Sequence, residues 1–524
     1  MDRTAKTQRA RSFLLNSLSL RERAKVRVKS ARAILFVFTF LLSACATSPI
    51  IPVVIETPIP SATPLLFTPT PRVVTATPIP PTETPILVPT AIPLERAQYT
   101  LYATLDYAAK TVEVEQSILY PNKSTNMLND LLLAVEPNFW ANGIIFHELS
   151  LNGAASNYIL DGQRLTILLD TPLEPDQSVQ INLRYTLNLP FAEQGDPSVM
   201  RARIYGYTNR QVNLTNWYLF VVPRQNGEWL LPEPWHFGEH LAYDVADYEV
   251  NFKTTDPAVV MAASANAEPN AEWTRYQLKS GRAFVLSASP EYKVYSQQVG
   301  DITVYSYYYP IFEIPAQEVL NVSIKALQLY SQLFGAYPHK SLTAVQGDFN
   351  DGMEYSAFYF QSHGFYNTYD GTAQNYLTFV SAHETAHQWF FESVANNQAH
   401  EPWLDEMICT YSERLYYETY HPEATNWWWA ARMFDYNPTS WLDLHVNENP
   451  SERAYWSSTY FHGAHFLEEL RARIGDEAFF AFLKDYRTQY DQKIATGDDF
   501  FSTLRAHTDI DFSDLVTKYF RAAH

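Results

Sequence analysis

The sequence predicts an N-terminal antiparallel β saddle or sandwich followed by a mainly helical region, and three observations set that expectation. Between Tyr99 and about Val299 apolar and polar residues alternate in short runs, the period of half-buried strands. From about Asp301 the period changes, and Ala316 to Phe334 carries Val319, Leu320, Ile324, Leu327 and Leu333 at helical spacing. The 524 residues are enough for two or three separate cores. The expected organisation is a signal segment over 1–44, a Thr/Pro-rich tether over 45–95, the β region over 96–299 and the helical region over 300–524.

The first 32 residues carry net +8, so the remainder carries −27 against a total of −19. Such a surface argues against nucleic acid as a partner. Ala33 to Ala44 is an apolar run of about twelve residues after that basic stretch, too short for a comfortable permanent span. It ends Leu42-Ser-Ala-Cys45, which resembles the bacterial lipoprotein signal box. The resemblance implies lipidation at Cys45, a membrane anchor and an extracytoplasmic location. An ordinary secretory signal or an N-terminal anchor is the alternative. Cys409 is then the one thiol left, so no intramolecular disulfide is expected; it reads as a small buried residue. From Ala46 to about Leu94, Thr-Pro punctuation (Glu56-Thr-Pro-Ile-Pro60, Thr77-Pro-Ile-Pro-Pro81) favours extended polyproline segments. At about 3.1 Å per residue such a tether reaches up to roughly 140 Å.

Within the β region, alternation is clear in Thr111–Gln116, Leu165–Leu169 and Val179–Tyr185, and Asn152-Gly153 and Asp161-Gly162 supply tight turns. His236 and His240 invite a metal reading, but the strand aromatics around them favour packing.

The chemistry concentrates in Ser381-Ala-His-Glu-Thr-Ala-His-Gln-Trp-Phe390. On a helix, His383 and His387 at i and i+4 share a face and close on one metal ion, while Glu384 stands beside it where it can polarise a bound water. Leu377 and Phe379 read as a strand leading in, Ala382 to Ala395 as the helix, and Asn396-Asn-Gln398 as its end. A second helix opens at Glu401-Pro402-Trp403-Leu404-Asp405-Glu406, with Pro in its first turn. A catalytic zinc takes three protein ligands and one open position, and two His with one Glu is an attested set. Glu406 is the candidate third ligand, with a solvated acidic helix start as the alternative; that alternative leaves the flanking Trp403-Leu404 unexplained.

His383-Glu-x-x-His387 with eighteen residues before Glu406, inside Trp403-Leu-Asp-Glu406, resembles the zinc aminopeptidase family of aminopeptidase N and leukotriene hydrolase. Gly352-Met353-Glu354-Tyr355 resembles its Gly-Ala-Met-Glu-Asn motif, Tyr460-Phe-His-Gly463-Ala464 its Tyr-x-Lys-Gly-Ala segment, and Phe334-Gly335-Ala-Tyr337-Pro338 the approach to its catalytic sheet. Asn216-Trp-Tyr218, Gly238-Glu-His240 and Asp247–Val250 resemble segments of its N-terminal domain. The resemblance implies a thermolysin-like α+β catalytic domain and one zinc per chain. It implies Tyr460 as oxyanion donor, Glu354 as partner of the substrate's α-ammonium, and backbone contacts to a peptide from Gly352 and Met353. A second amine anchor falls near Gln211. Tyr355, Met407 and His462 depart from the family pattern without removing a ligand or the base. The large helical C-terminal domain of many relatives is not found, which implies a more open site or one closed by a partner. Three functions fit: a tethered zinc aminopeptidase, an open-site zinc endopeptidase, and a non-catalytic binding lipoprotein.

Overall fold

A computed structural model of the chain describes residues 94–192, 204–350, 352–434, 436 and 440–524, together with the backbone of a short strand, Arg72–Val74. The signal segment, Cys45 and nearly all of the tether lie outside the described residues. Within the tether range, Arg72–Val74 pairs antiparallel with Tyr158–Asp161.

The alternation read in Thr111–Gln116 becomes the strand Thr111–Pro121, whose inward positions face those of Ser178–Asn188: Val112 pairs with Leu187, Val114 with Tyr185 and Ile118 with Ile181, all buried. These strands lie in an eight-stranded sheet in the spatial order Ala267–Asn270, Trp273–Gly281, Ala246–Thr254, Ala97–Asp106, Thr111–Pro121, Ser178–Asn188, Ile144–Leu151, Ala154–Ala155. One pair corrects the expected all-antiparallel arrangement: Ala246–Thr254 runs parallel to Ala97–Asp106. Those strands lie some 140 residues apart in sequence, too far for local alternation to set their direction. Asn152 and Gly153, both at positive φ, join Leu151 to Ala154, as a type I′ turn requires.

A second sheet begins at Lys293. Its order is Lys293–Val299, Ile302–Tyr308, Ser341–Gly347, Phe358–Ser362, Met353–Tyr355, with Met353–Tyr355 at one edge. Three helices place the site against it: α1 Glu313–Phe334, α2 Tyr376–Ala386 and α3 Trp403–Tyr420. Helix α1 stops at Gly335, φ 111°, where a residue without Cβ turns the chain toward the next strand.

Helix α2 corrects the sequence reading at both ends. Leu377 and Phe379 belong to the helix, because the Asn375 side chain accepts from the Thr378 backbone N–H at 3.0 Å and starts it there. Every residue from Leu377 to Ala386 is buried, so no polar face marks the period and a buried helix imitates a strand. The helix ends at Ala386 rather than Ala395. The next residues turn, and Val394–Ala395 pairs with Lys493–Ile494. Neither Gly nor Pro marks that stop. Farther along, Gly475 (φ 83°) separates the helix Gly463–Ile474 from the helix Asp476–Gln489.

The β region is bolted to the turn after α2 by Arg282, a fully buried side chain. Its guanidinium donates to the carbonyls of Tyr243, Glu392, Ser393 and Lys493 at 2.8–3.2 Å. The Glu392 carboxylate meets His339 Nε2 at 2.6 Å and the Ser356 hydroxyl at 2.5 Å.

Candidate metal centre and cleft

Two hydrogen bonds fix α2 under the second sheet. Gln361 Nε2 donates to the Leu377 carbonyl, and Gln388 Nε2, just past the helix, donates to the Tyr355 carbonyl. Helix α3 lies alongside; expected to open at Glu401, it begins at Trp403, with Pro402 as its N-cap. Before it, the Asn396 and Gln398 amides hold Asp405, at 2.9 and 3.0 Å.

The structure brings His383, His387 and Glu406 together, all buried. Their Nε2 atoms lie 3.1 Å apart, and Glu406 Oε2 is 3.1 Å from the first and 3.6 Å from the second. The far ring nitrogens are committed elsewhere. His383 Nδ1 meets Glu413 Oε1 at 2.9 Å, and His387 Nδ1 meets the Phe390 carbonyl at 3.1 Å. Each Nδ1 therefore carries its proton outward, leaving lone pairs converging on one point. Such a set repels itself unless positive charge sits within it. Burial on its own lowers the His387 pKa, yet Cys409 and Glu354 beside it raise it well above the ordinary histidine value. Burial likewise works to raise Glu406, but its hydrogen bonds with the two histidines hold it well below the usual carboxylate range. A divalent cation satisfies all three atoms at once, and two His with one Glu is a zinc set. The residues fit the metal.

Around this point the other expected residues gather. Glu354, Glu384 and His387 have polar atoms within 4.8 Å of one another. Glu354 is buried and accepts from Gln398 Nε2 at 3.0 Å. Gly352 sits so close that a Cβ there would stand 2.2 Å from Glu384 Oε1, so a larger residue would displace the carboxylate. The Tyr460 hydroxyl, on a π-helical segment Trp456–His462, donates to Glu406 Oε1 at 2.6 Å. Burial, then Glu406, pushes its pKa well above the usual phenol value, so it stays a donor. One cavity of about 340 Å³ is lined by Gly352, Glu354, His383, Glu384, His387, Glu406 and Tyr460. Met353 lines an adjoining cavity that shares Glu354.

One expected position resolves differently. Gln211 faces no cleft: its side chain accepts from the Tyr309 hydroxyl and the Asp348 N–H and donates to Asn213. Glu239 enters the cavity instead, on a β-region loop where Gly238, φ 69°, lies against Val446. Among the described residues, His236 and His240 join no metal-capable group. Cys409 is buried, its thiol pushed up to about 12 by desolvation. His462 points to the Tyr436 hydroxyl at 2.6 Å. Met407 packs under Gly463, where a Cβ would stand 2.3 Å from the Met407 Cβ.

Glu413 escaped the sequence reading. It backs His383 and is itself gripped by the Arg432 guanidinium at 3.0–3.2 Å and by Trp428 Nε1 at 2.9 Å. Such outer partners orient ligand imidazoles. The signal it left in the sequence is its spacing, seven residues or two turns beyond Glu406 on the same helix.

With this geometry in place, the comparisons with known proteins are direct. Residues 318–519 match the peptidase family M1 domain. They belong to that family. The chain is 26% identical to the probable aminopeptidase 2 of Sulfurisphaera tokodaii over 212 residues, 38% of this chain and 27% of that protein. It is 28% identical to aminopeptidase M1-D of Oryza sativa subsp. japonica over 38% of this chain and 25% of that one. It is also 26% identical to aminopeptidase N of Lactobacillus helveticus over 27% and 18%. The matched part is thus about a quarter of the first relatives' length. A mutant M1 zinc metallopeptidase of Deinococcus radiodurans superposes with a TM-score of 0.60 at 17% identity, covering 82% of this chain and 95% of that one. Another structure of that mutant, described as bound to Tyr-Ser-Ala substrate, gives 0.59 at 18% identity. The two-part M1 fold therefore extends beyond the matched domain.

Proposed function

We propose that this protein is a zinc-dependent aminopeptidase that removes N-terminal residues from peptides, its second region folded as a thermolysin-like catalytic domain. The observation that carries the reading is the convergence of His383, His387 and Glu406 beside two further carboxylates, Glu384 and Glu354, in one cleft. Zinc held by the first three supplies Lewis acidity, lowering the pKa of water and polarising the scissile carbonyl.

The chain's own residues do the rest. Glu384 takes the proton of the attacking water and passes it to the departing amine. Tyr460, released from Glu406, donates its hydroxyl hydrogen to the carbonyl oxygen as charge develops there. Glu354 pairs with the substrate's α-ammonium and fixes the cut one residue in, with Glu239 a second carboxylate nearby. Met353, in the edge strand, and Gly352, just before it, offer backbone groups to an extended peptide. Glu354 favours this over the open-site endopeptidase reading, and an intact Glu384 argues against a binding protein, which needs no general base.

Purified protein is expected to hold about one zinc per chain and to hydrolyse aminoacyl amides, with both lost in His387→Ala. Full zinc occupancy in His383→Ala/His387→Ala sinks the ligand assignment. For location we propose an extracytoplasmic lipoprotein anchored in the bacterial cell membrane through Cys45, on the strength of Leu42-Ser-Ala-Cys45. Cys45→Ser is expected to release or misprocess it; a mature, unlipidated N-terminus well downstream of Cys45 overturns the anchor.

A further inference from the structure

Away from the metal cleft, a second cavity of about 360 Å³ opens in the β region. It lies where the strands Ala97–Asp106, Thr111–Pro121 and Ala246–Thr254 of the first sheet meet Phe220–Val221, which pairs with Leu128–Ala134 of another sheet. It shares no lining residue with the cleft, and its volume suits a small ligand.

Most charges on its wall are already paired. Arg96 meets Glu95 and Asp247, and Lys123 meets Asp176 at 2.7 Å. Asp244 is different. It is exposed, between the buried Tyr243 and Val245, and among the described residues its carboxylate accepts no hydrogen bond and joins no ion pair. Burial still raises its pKa, against the pull of Arg282, so the carboxylate stands in a recess and not on the open surface. Arg282 attracts it without contact, since its Nε, Nη1 and Nη2 donate to four backbone carbonyls.

Arg224 is the opposite charge on the same wall. Its guanidinium donates to the Gly227 carbonyl and lies 5.1 Å from the centre of the Trp229 ring, while its Nε is buried without a partner. Among the described residues it too joins no ion pair. Burial raises the Tyr120 pKa, Asp244 adds to the rise and Arg224 opposes it, so this phenol stands near both charges. Tyr99 and Tyr248, stacked with ring centres 5.1 Å apart, and Phe220 give the cavity an aromatic wall.

An acid and a base that face one cavity without pairing are complementary to a ligand that carries both charges. We propose that this cavity binds a small zwitterion, a free apolar amino acid, with its ammonium on Asp244, its carboxylate on Arg224 and its side chain against Tyr99, Tyr248 and Phe220. The site is separate from the metal and stands without the aminopeptidase reading.

The test is calorimetric titration with leucine, with N-acetylleucine, which lacks the ammonium, and with leucinol, which lacks the carboxylate. Leucine is expected to bind wild type, and its binding is expected to survive Glu354→Ala, which removes the amine partner proposed in the cleft. In that Glu354→Ala background, Asp244→Asn and Arg224→Gln are each expected to weaken leucine by about tenfold or more, and N-acetylleucine and leucinol are expected to bind more weakly by a similar factor. If Asp244→Asn does not fold, Arg224→Gln and the two analogues decide. Binding that disappears in Glu354→Ala places leucine in the cleft and overturns the site. So do equal affinities for leucine and its analogues, indifference to the substitutions at Asp244 and Arg224, or no binding at millimolar leucine.

Discussion

The two ends of helix α2 line one cleft and could hardly differ more. At the C-terminal end, His383, Glu384 and His387 face Glu406 and Glu354 across distances set by hydrogen bonds. At the N-terminal end, Tyr376, Phe379 and Val380 present rings and a branched aliphatic side chain. The polar end tolerates little variation, because each atom must lie within hydrogen-bonding or coordination reach of a particular partner. The apolar end asks only for volume and shape. On the proposed mechanism the first end performs the cut and fixes its register, and the second walls the cleft.

The sharpest way to break this contrast is to remove the proton acceptor alone. Glu384→Gln keeps the side chain's shape but cannot take a proton from water, so zinc content should hold while kcat falls by about 10²-fold or more. Loss of zinc in that variant makes Glu384 part of the metal cage rather than the base. Apolar-end variants should act more gently and leave metal content alone.

The same contrast explains what could be read from the sequence. Side chains that carry charge at a fixed spacing announce themselves: His383, Glu384, His387 and Glu406 stand out in the pattern, and the structure gathers them. Alternation gave the strands Thr111–Pro121 and Ser178–Asn188 because one face of each is buried and the other is not. Helix α2 hid its start because every residue from Leu377 to Ala386 is buried, which erases the signal that periodicity depends on. The parallel pairing of Ala246–Thr254 with Ala97–Asp106, the backing of His383 by Glu413 and the arrival of Glu239 are tertiary events. Glu413 is one acid on a helix that also bears Glu418, and its two-turn spacing from Glu406 gains meaning only in the fold. Gln211, placed near the amine by resemblance, is instead consumed by Tyr309 and Asp348.

The central claim is that a buried carboxylate beside the metal ligands makes a free α-amine the condition for cleavage. The direct measurement is kcat/KM for an alanyl fluorogenic amide and its N-acetylated twin, in wild type and in Glu354→Ala. Wild type should favour the free amine by about 10²-fold or more, since an acetylated substrate leaves Glu354 buried without its partner. Glu354→Ala should raise KM for the free substrate and shrink the preference to within about tenfold. Equal cleavage of the two twins by wild type would contradict the claim and turn the cleft into that of an endopeptidase.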